Sequence, residues 1–515
     1  MKKKTLSLII VVVLLIGLLS ACGGGGGGGQ PADGDGEARG VRLFMESIPP
    51  TLDPYNTVAY TSWYIWNQVY ETLVHVEDDG SITPFLATGY TVSDDGLTYT
   101  FTLPQGVKFH NGEELKASDV AYSFNTAITR PAINSYVFMV DHAEAKDDYT
   151  VDIVLNQLYP AVLTMFANVP IVNEKDYKEA GEDYTEWGVG TGPYMYREGG
   201  IDLNTEINLD SFPDYRLGEA SIPSVTFKVS TDAASTVVQF ETGELDFMMV
   251  MTPSNFIPLE ESGKYNTGLV TAPHTAYLVF NNELEIFQNK ALRQALNYAV
   301  DKDTVIEMAY EGLAEPARMM CNDSVFGSDF SGATDFSYNV DKAKEKLAEA
   351  GFPNGLNLSD YGVKLEYFGG TYHEKIAQAV QNMWAEIGVD VELAASETID
   401  SDSITGNFTL ITEGGAFTAD FSYLAKYYVS TNIDSTNYAR YRNEEVDKLF
   451  AEGNSTTDEA VRKEAYKKIC EIVIDDCPHV PIQHKQIPYV WNKDLNAVIR
   501  SSNDHPYFIY EWSWN

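Results

Sequence analysis

An α/β fold is what this sequence predicts, on three observations. "GVKLEYF" places Val363, Leu365 and Tyr367 on alternate positions, as a strand does. Ile376, Val380, Met383, Trp384 and Ile387 then recur at helical spacing and stop at Gly388, a glycine placed to close a helix in the left-handed conformation. "VDVEL" resumes the alternation with Val389, Val391 and Leu393. A strand, a helix and a strand in that order is the unit from which parallel sheets are built.

Earlier elements follow the same grammar. Leu52-Asp53-Pro54 predicts a turn, because proline presets φ and aspartate caps its own backbone. Tyr60, Trp63, Trp66 and Tyr70 lie at helical spacing and read as core. "TPFLATGY" followed by "DDGLTYTFTL" reads as a turn and hairpin, with Leu97, Tyr99, Phe101 and Leu103 on one face. "KASDVAYSF" starts a helix with Ser118 as its N-cap and Val120 and Phe124 facing inward. Further helices are predicted near 289–300, 341–350 and 458–474. No internal repeat is evident.

The start of the chain is of another kind. Lys2, Lys3 and Lys4 precede a 14-residue apolar stretch, Leu6 to Leu19. That is short of the roughly 20 residues a spanning helix needs, and it has the charged and apolar regions of a secretory signal. It ends Leu19-Ser20-Ala21-Cys22, which resembles the lipobox of bacterial lipoproteins and implies cleavage before Cys22 and lipid on that cysteine. Acyl chains would hold the protein at a bilayer at ~0.8 kcal/mol per buried CH₂. Residues 23–40 contain nothing apolar larger than Ala or Pro. A Gly-rich tether of that length spans roughly 23 Å.

A 44% hydrophobic and 12% aromatic composition is ample for globular packing, and the length suggests two or three domains. Net charge is −40, or −43 without the three leading lysines. A body so acidic is repelled by nucleic acid, which is excluded as a partner. Cys470 shares an apolar stripe with Tyr466, Ile469 and Val473. Cys477, seven residues on, would lie ~10 Å along the same helix, beyond bridging distance, and only a helix ending before Cys477 would rescue the pair. Cys321, Cys470 and Cys477 are therefore expected to be free.

Catalysis finds no support. There is no Gly-x-Ser-x-Gly elbow, Walker loop or Gly-x-Gly-x-x-Gly fingerprint. His373-Glu374 opens like a zinc-peptidase helix, but Ala377 stands where the second histidine belongs. His479 and His484 flank two prolines and suit packing better than metal ligation. Neither cofactor nor metal is predicted.

A resemblance covers nearly the whole body. "PPTLDPYN" (49–56), the long stretch Tyr70–Phe124, "GTGPY" (190–194), "FETGELDF" (240–247), "ALNYAVDKDTVI" (295–306) and "LAEAGFPNG" (347–355) together resemble the peptide/nickel-type, family 5, solute-binding lipoproteins of ABC importers. The resemblance implies a two-lobed periplasmic-binding-protein-like fold that closes by a hinge, with an extra inserted subdomain. Lobe I would comprise 41–57, 186–275 and 483–515, the inserted subdomain 58–185, and lobe II 276–482. It implies a monomer, lipid-anchored at Cys22 on the extracytoplasmic face, that captures di- to oligopeptides and passes them to a membrane permease. A nickel chelate, a sugar or another solute, or a role as peptide-signal receptor, are the alternatives.

"EGGAFTADFSY" (413–423) resembles the Gly-Trp-x-Ala-Asp-Tyr stretch of peptide-binding relatives, with Phe417 and Phe421 in place of the tryptophan and tyrosine. This implies that Asp420 pairs with a peptide ammonium while Ala416 and Thr418 offer main-chain partners; otherwise Asp420 caps the helix that follows, with Ser422 as rival cap. Ile48, Tyr136, Gln483 and His484 are further candidates for ligand contact.

Overall fold

The computed structural model describes residues 39–77, 80–181, 188–249, 252–500 and 507–515. Cys22, the signal segment and most of the tether lie outside them. Arg39, at the tether's end, is already held by the body. It pairs with Asp246 at 2.8 Å and lies 3.6 Å over the Trp514 ring.

The α/β class is observed. An 11-stranded sheet runs through the body, and its two central members are its longest, Asn266–Phe280 and His479–Trp491. These two crossing strands pair antiparallel from Asn266↔Trp491 at one end to Val279↔His479 at the other. The ladder slips between Thr271 and Thr275, the kind of irregularity that re-aims side chains beside a site. Beyond one crossing strand lie Leu410–Ala416, Lys364–Tyr367 and Glu392–Ala395; beyond the other lie Phe247–Met249, Val41–Met45 and Ser224–Val229.

Two large hydrophobic cores pack on this shared sheet. All buried members of one fall between Ala276 and Ile482. The other gathers Val41 to Tyr177, Tyr194 to Phe247, Val270, and Tyr489 to Trp512. It also covers a separate four-stranded antiparallel sheet containing the hairpin Gly89–Val92/Thr98–Thr102.

Local predictions hold with small corrections. Lys364–Tyr367 and Glu392–Ala395 pair in parallel across helix Tyr372–Glu386, and Gly388 takes φ 84° behind it. Asp53 accepts the Tyr55 N–H at 2.9 Å. Tyr60 is 52% exposed and outside the core, because it opens its helix, whereas Trp63, Trp66 and Tyr70 are buried. Ser118 falls inside its helix. Lys116 is the N-cap there, and Asp119 accepts the Lys116 backbone N–H. Cys321, Cys470 and Cys477 are free and buried. Among the described residues no helix is long and apolar enough to cross a membrane, and no cluster could hold a metal ion.

Candidate functional site

Two polar regions lie along the first crossing strand, and the chain satisfies them differently. The first contains the predicted anchor. Ala416 ends strand Leu410–Ala416 opposite His274, and the Phe417 N–H bonds the Pro273 carbonyl at 3.0 Å. Ala419 and Phe421 bridge the backbone of Phe326, leaving Asp420 between two main-chain bonds. The Thr418 backbone has no main-chain partner among the described residues, while its hydroxyl donates to the Asp420 carbonyl at 3.3 Å. Asp420 is buried and occupied. Arg462 Nη2 donates to both its carboxylate oxygens, at 2.7 and 2.8 Å, and the Ser422 N–H and hydroxyl donate to Oδ1 at 2.9 and 2.7 Å. Arg462 is equally buried and lies 4.8 Å from the Phe326 ring. Asp420 thus caps the turn Phe421–Leu424 and already has a cation from its own chain. Tyr159 faces this locus; burial, then the Asp420 charge, push its phenol up to about 12.

The second region is a cavity of about 380 Å³. Met249 and Ile487, packed against one core, and Ala309, Tyr310 and Tyr372, of or packed against the other, contribute to its wall. The crossing strands supply His274, Gln483 and Lys485. Gln483 is 0% exposed, yet neither its amide nitrogen nor its oxygen has a partner in hydrogen-bonding geometry. The Tyr310 hydroxyl comes near Gln483 and Tyr372 but closes no hydrogen bond of good geometry with either. His274 Nδ1 is also unpartnered, and burial, then Lys485, lower its pKa. Buried polar groups are normally paired, since an unmade hydrogen bond costs about 1–3 kcal/mol. Several orphans around one cavity are therefore the mark of a site that a ligand or water completes.

His484 joins the two regions. Its ring meets Phe417 edge-on at 5.7 Å. Thr275 gives its hydroxyl proton to the Met320 carbonyl, so by this bonding pattern His484 Nδ1–H donates to the Thr275 oxygen, at 2.9 Å. Burial holds its pKa down to about 3, and the ring is neutral. Gly414 and Gly415 make the close approach possible. A Cβ on Gly414 would stand 2.7 Å from His274 Nε2, and one on Gly415 2.6 Å from the Tyr427 hydroxyl.

The structure thus brings Ala416, Phe417, Thr418, Asp420 and His484 together along the crossing strands. Ile48 is exposed at 47% and Tyr136 lies half-buried, edge-on to Trp63; neither lines the cavity. Residue patterns did not single out Arg462, His274, Tyr310, Tyr372 or Lys485. Only Arg462 carried a signal, being one helical turn before Tyr466 on a buried helix face, where a charge needs a partner.

A solute-sized cavity between two cores that share a sheet, with hydrogen-bonding groups left open, defines a binding protein of the hinged, two-lobed class. The model of the bacterial extracellular solute-binding proteins, family 5, matches residues 81–436, and the chain belongs to that family. The haem-binding protein A of Haemophilus influenzae is 28% identical over 451 residues, covering 81% of this chain and 82% of that protein. The glutathione-binding protein GsiB of Salmonella typhimurium is 27% identical over 485 residues, covering 89% and 92%. Among solved structures, HbpA2 of Haemophilus parasuis superposes with a TM-score of 0.83 at 25% identity, covering 93% of this chain and all of that one.

Proposed function

We propose that this protein is the solute-capturing component of an ABC importer, lipid-anchored through Cys22 on the extracytoplasmic face, and that it delivers peptides to a membrane permease. The single observation that carries the reading is Gln483: a fully buried amide with donor and acceptor both open at a cavity between two cores. A paired donor and acceptor complements the N–H and C=O of a peptide unit. The size supports it too, since ligand cavities begin near 300 Å³. The family supports the transport role, and relatives named for haem and glutathione leave a metal chelate or another small solute as the second reading.

Lobes of 41–57, 186–275 and 483–515 on one side and 276–482 on the other, with 58–185 inserted, are the division we propose; a core confined to Ala276–Ile482 supports it. Closure of these lobes would bury the cavity. A thermal-shift screen of di- to hexapeptides against nickel chelates, haem and sugars tests the assignment, because only a ligand of the folded state raises Tm. Peptides are expected to give the shift. If a chelate or sugar does so and peptides do not, the peptide assignment is wrong. Cys22→Ser is expected to release the protein from cells into the medium.

A further inference from the structure

We infer that both charges of a zwitterionic solute are read at the crossing-strand cavity, the carboxylate by Lys485 and the ammonium by Glu311, and that Asp420 is a cap paired with Arg462 rather than the ammonium anchor. This inference rests on the peptide reading above and specifies how its ligand is held.

Three observations carry it. Asp420, the acid that the sequence resemblance offers for an ammonium, is already neutralised by Arg462, with both partners buried. A ligand ammonium there would have to displace a guanidinium that has no other carboxylate among the described residues. Next, Lys485 and Glu311 both line the cavity, and neither has an ion-pair partner among the described residues. In a chain with 40 more acids than bases, Lys485 stands at the cavity wall without a paired carboxylate among the described residues and is free to meet one. No other residue of the cavity wall is acidic or basic except His274, whose pKa burial lowers. The third observation is backbone strain. Glu311 closes helix Lys302–Tyr310 at φ 50°, ψ 37°, the left-handed conformation in which glycine is the ordinary choice, and Gly312 follows at φ 82°. A glutamate tolerated at a strained position on a cavity wall is the pattern of a residue retained for its side chain.

The substrate class is therefore a small zwitterion, with free ammonium and free carboxylate separated by no more than a cavity of about 380 Å³ allows. Short unmodified peptides fit; long peptides anchored by their amino end at Asp420 do not. Lining charges of opposite sign also explain how so acidic a protein can take a solute bearing a carboxylate: Lys485 offsets the repulsion locally.

The experiment uses the full mature protein and one tripeptide mixture in three forms: free, C-amidated and N-acetylated. For the wild type, each modification is expected to weaken apparent affinity at least tenfold. In Lys485→Met the free and amidated forms should bind within about threefold of one another, and in Glu311→Gln the free and acetylated forms should do the same. Both residues are exposed, so neither change endangers the fold. Ratios that stay at wild-type values in these variants overturn the inference. So does an acetylation penalty that survives Glu311→Gln and vanishes in the Asp420→Asn/Arg462→Met double variant. If no form of the mixture binds the wild type while a chelate or sugar does, the peptide reading itself falls, a separate outcome.

Discussion

The Asp420–Arg462 locus and the Gln483 cavity lie along the same crossing strands, but the buried carboxylate of the first is fully paired, with only Arg462 Nε left over, and the buried amide of the second is not. At the first, every oxygen of a buried carboxylate is met by its own chain. At the second, a fully buried amide and a tyrosine hydroxyl meet nothing in bonding geometry. The difference teaches which polar groups hold the protein together and which are kept for a solute. A closed network contributes to stability, and removing a member strands a charge. An open one costs stability, and removing a member should relieve it.

Substitutions can break this contrast. The largest effect is expected from Arg462→Met, which leaves Asp420 buried without its cation. Loss of one partner from a buried pair costs about 3–5 kcal/mol, to be read by urea denaturation. A loss below about 1 kcal/mol would show the locus to be more open than its geometry. Next in size, Gln483→Leu should lower solute affinity about tenfold or more while leaving the ligand-free protein as stable as before, or more so. Equal loss of stability and affinity would place Gln483 among the closed groups.

Histidine protonation is smaller. Burial lowers the pKa of His484 and His479 to about 3, against 6.5 for a free imidazole. Folding thus favours the neutral rings. Their contribution is complete above pH 6.5 and is lost as pH falls from there toward about 3, at ~1.4 kcal/mol per pH unit for each ring. His484→Gln should flatten the stability–pH slope between pH 6 and 4 by roughly that amount, and an unchanged slope would mean that His484 is not buried neutral. Least of all, burial pushes the Cys470 and Cys477 thiols up to about 12 and about 11. Neither should react with a thiol reagent at pH 8 until the protein is unfolded.

Much of the fold was legible because it is periodic. Alternation marked Lys364–Tyr367, the 3.6-residue repeat marked Tyr372–Glu386, and Gly388 marked its end through a backbone conformation that favours glycine. Errors came at element ends: Tyr60 has apolar spacing but opens a helix at the surface, and Ser118 lost the cap to Lys116 two residues earlier. The site was legible in part. The 413–423 stretch leaves the end of an adjoining strand and the Gln483–His484 pair lies on a crossing strand, but their partners come from far away in sequence. Arg462 reaches Asp420 across 42 residues, and Tyr310 and Tyr372, from separate helices, line the same cavity as Gln483.

The sequence by itself determined the α/β class, the family and the turn at Asp53, because each rests on patterns that neighbouring residues carry. The tertiary structure alone decided that Asp420 is paired and Gln483 is not. Which buried polar group finds a partner is set by long-range packing of whole elements, and the charge or amide left over is where a solute can bind.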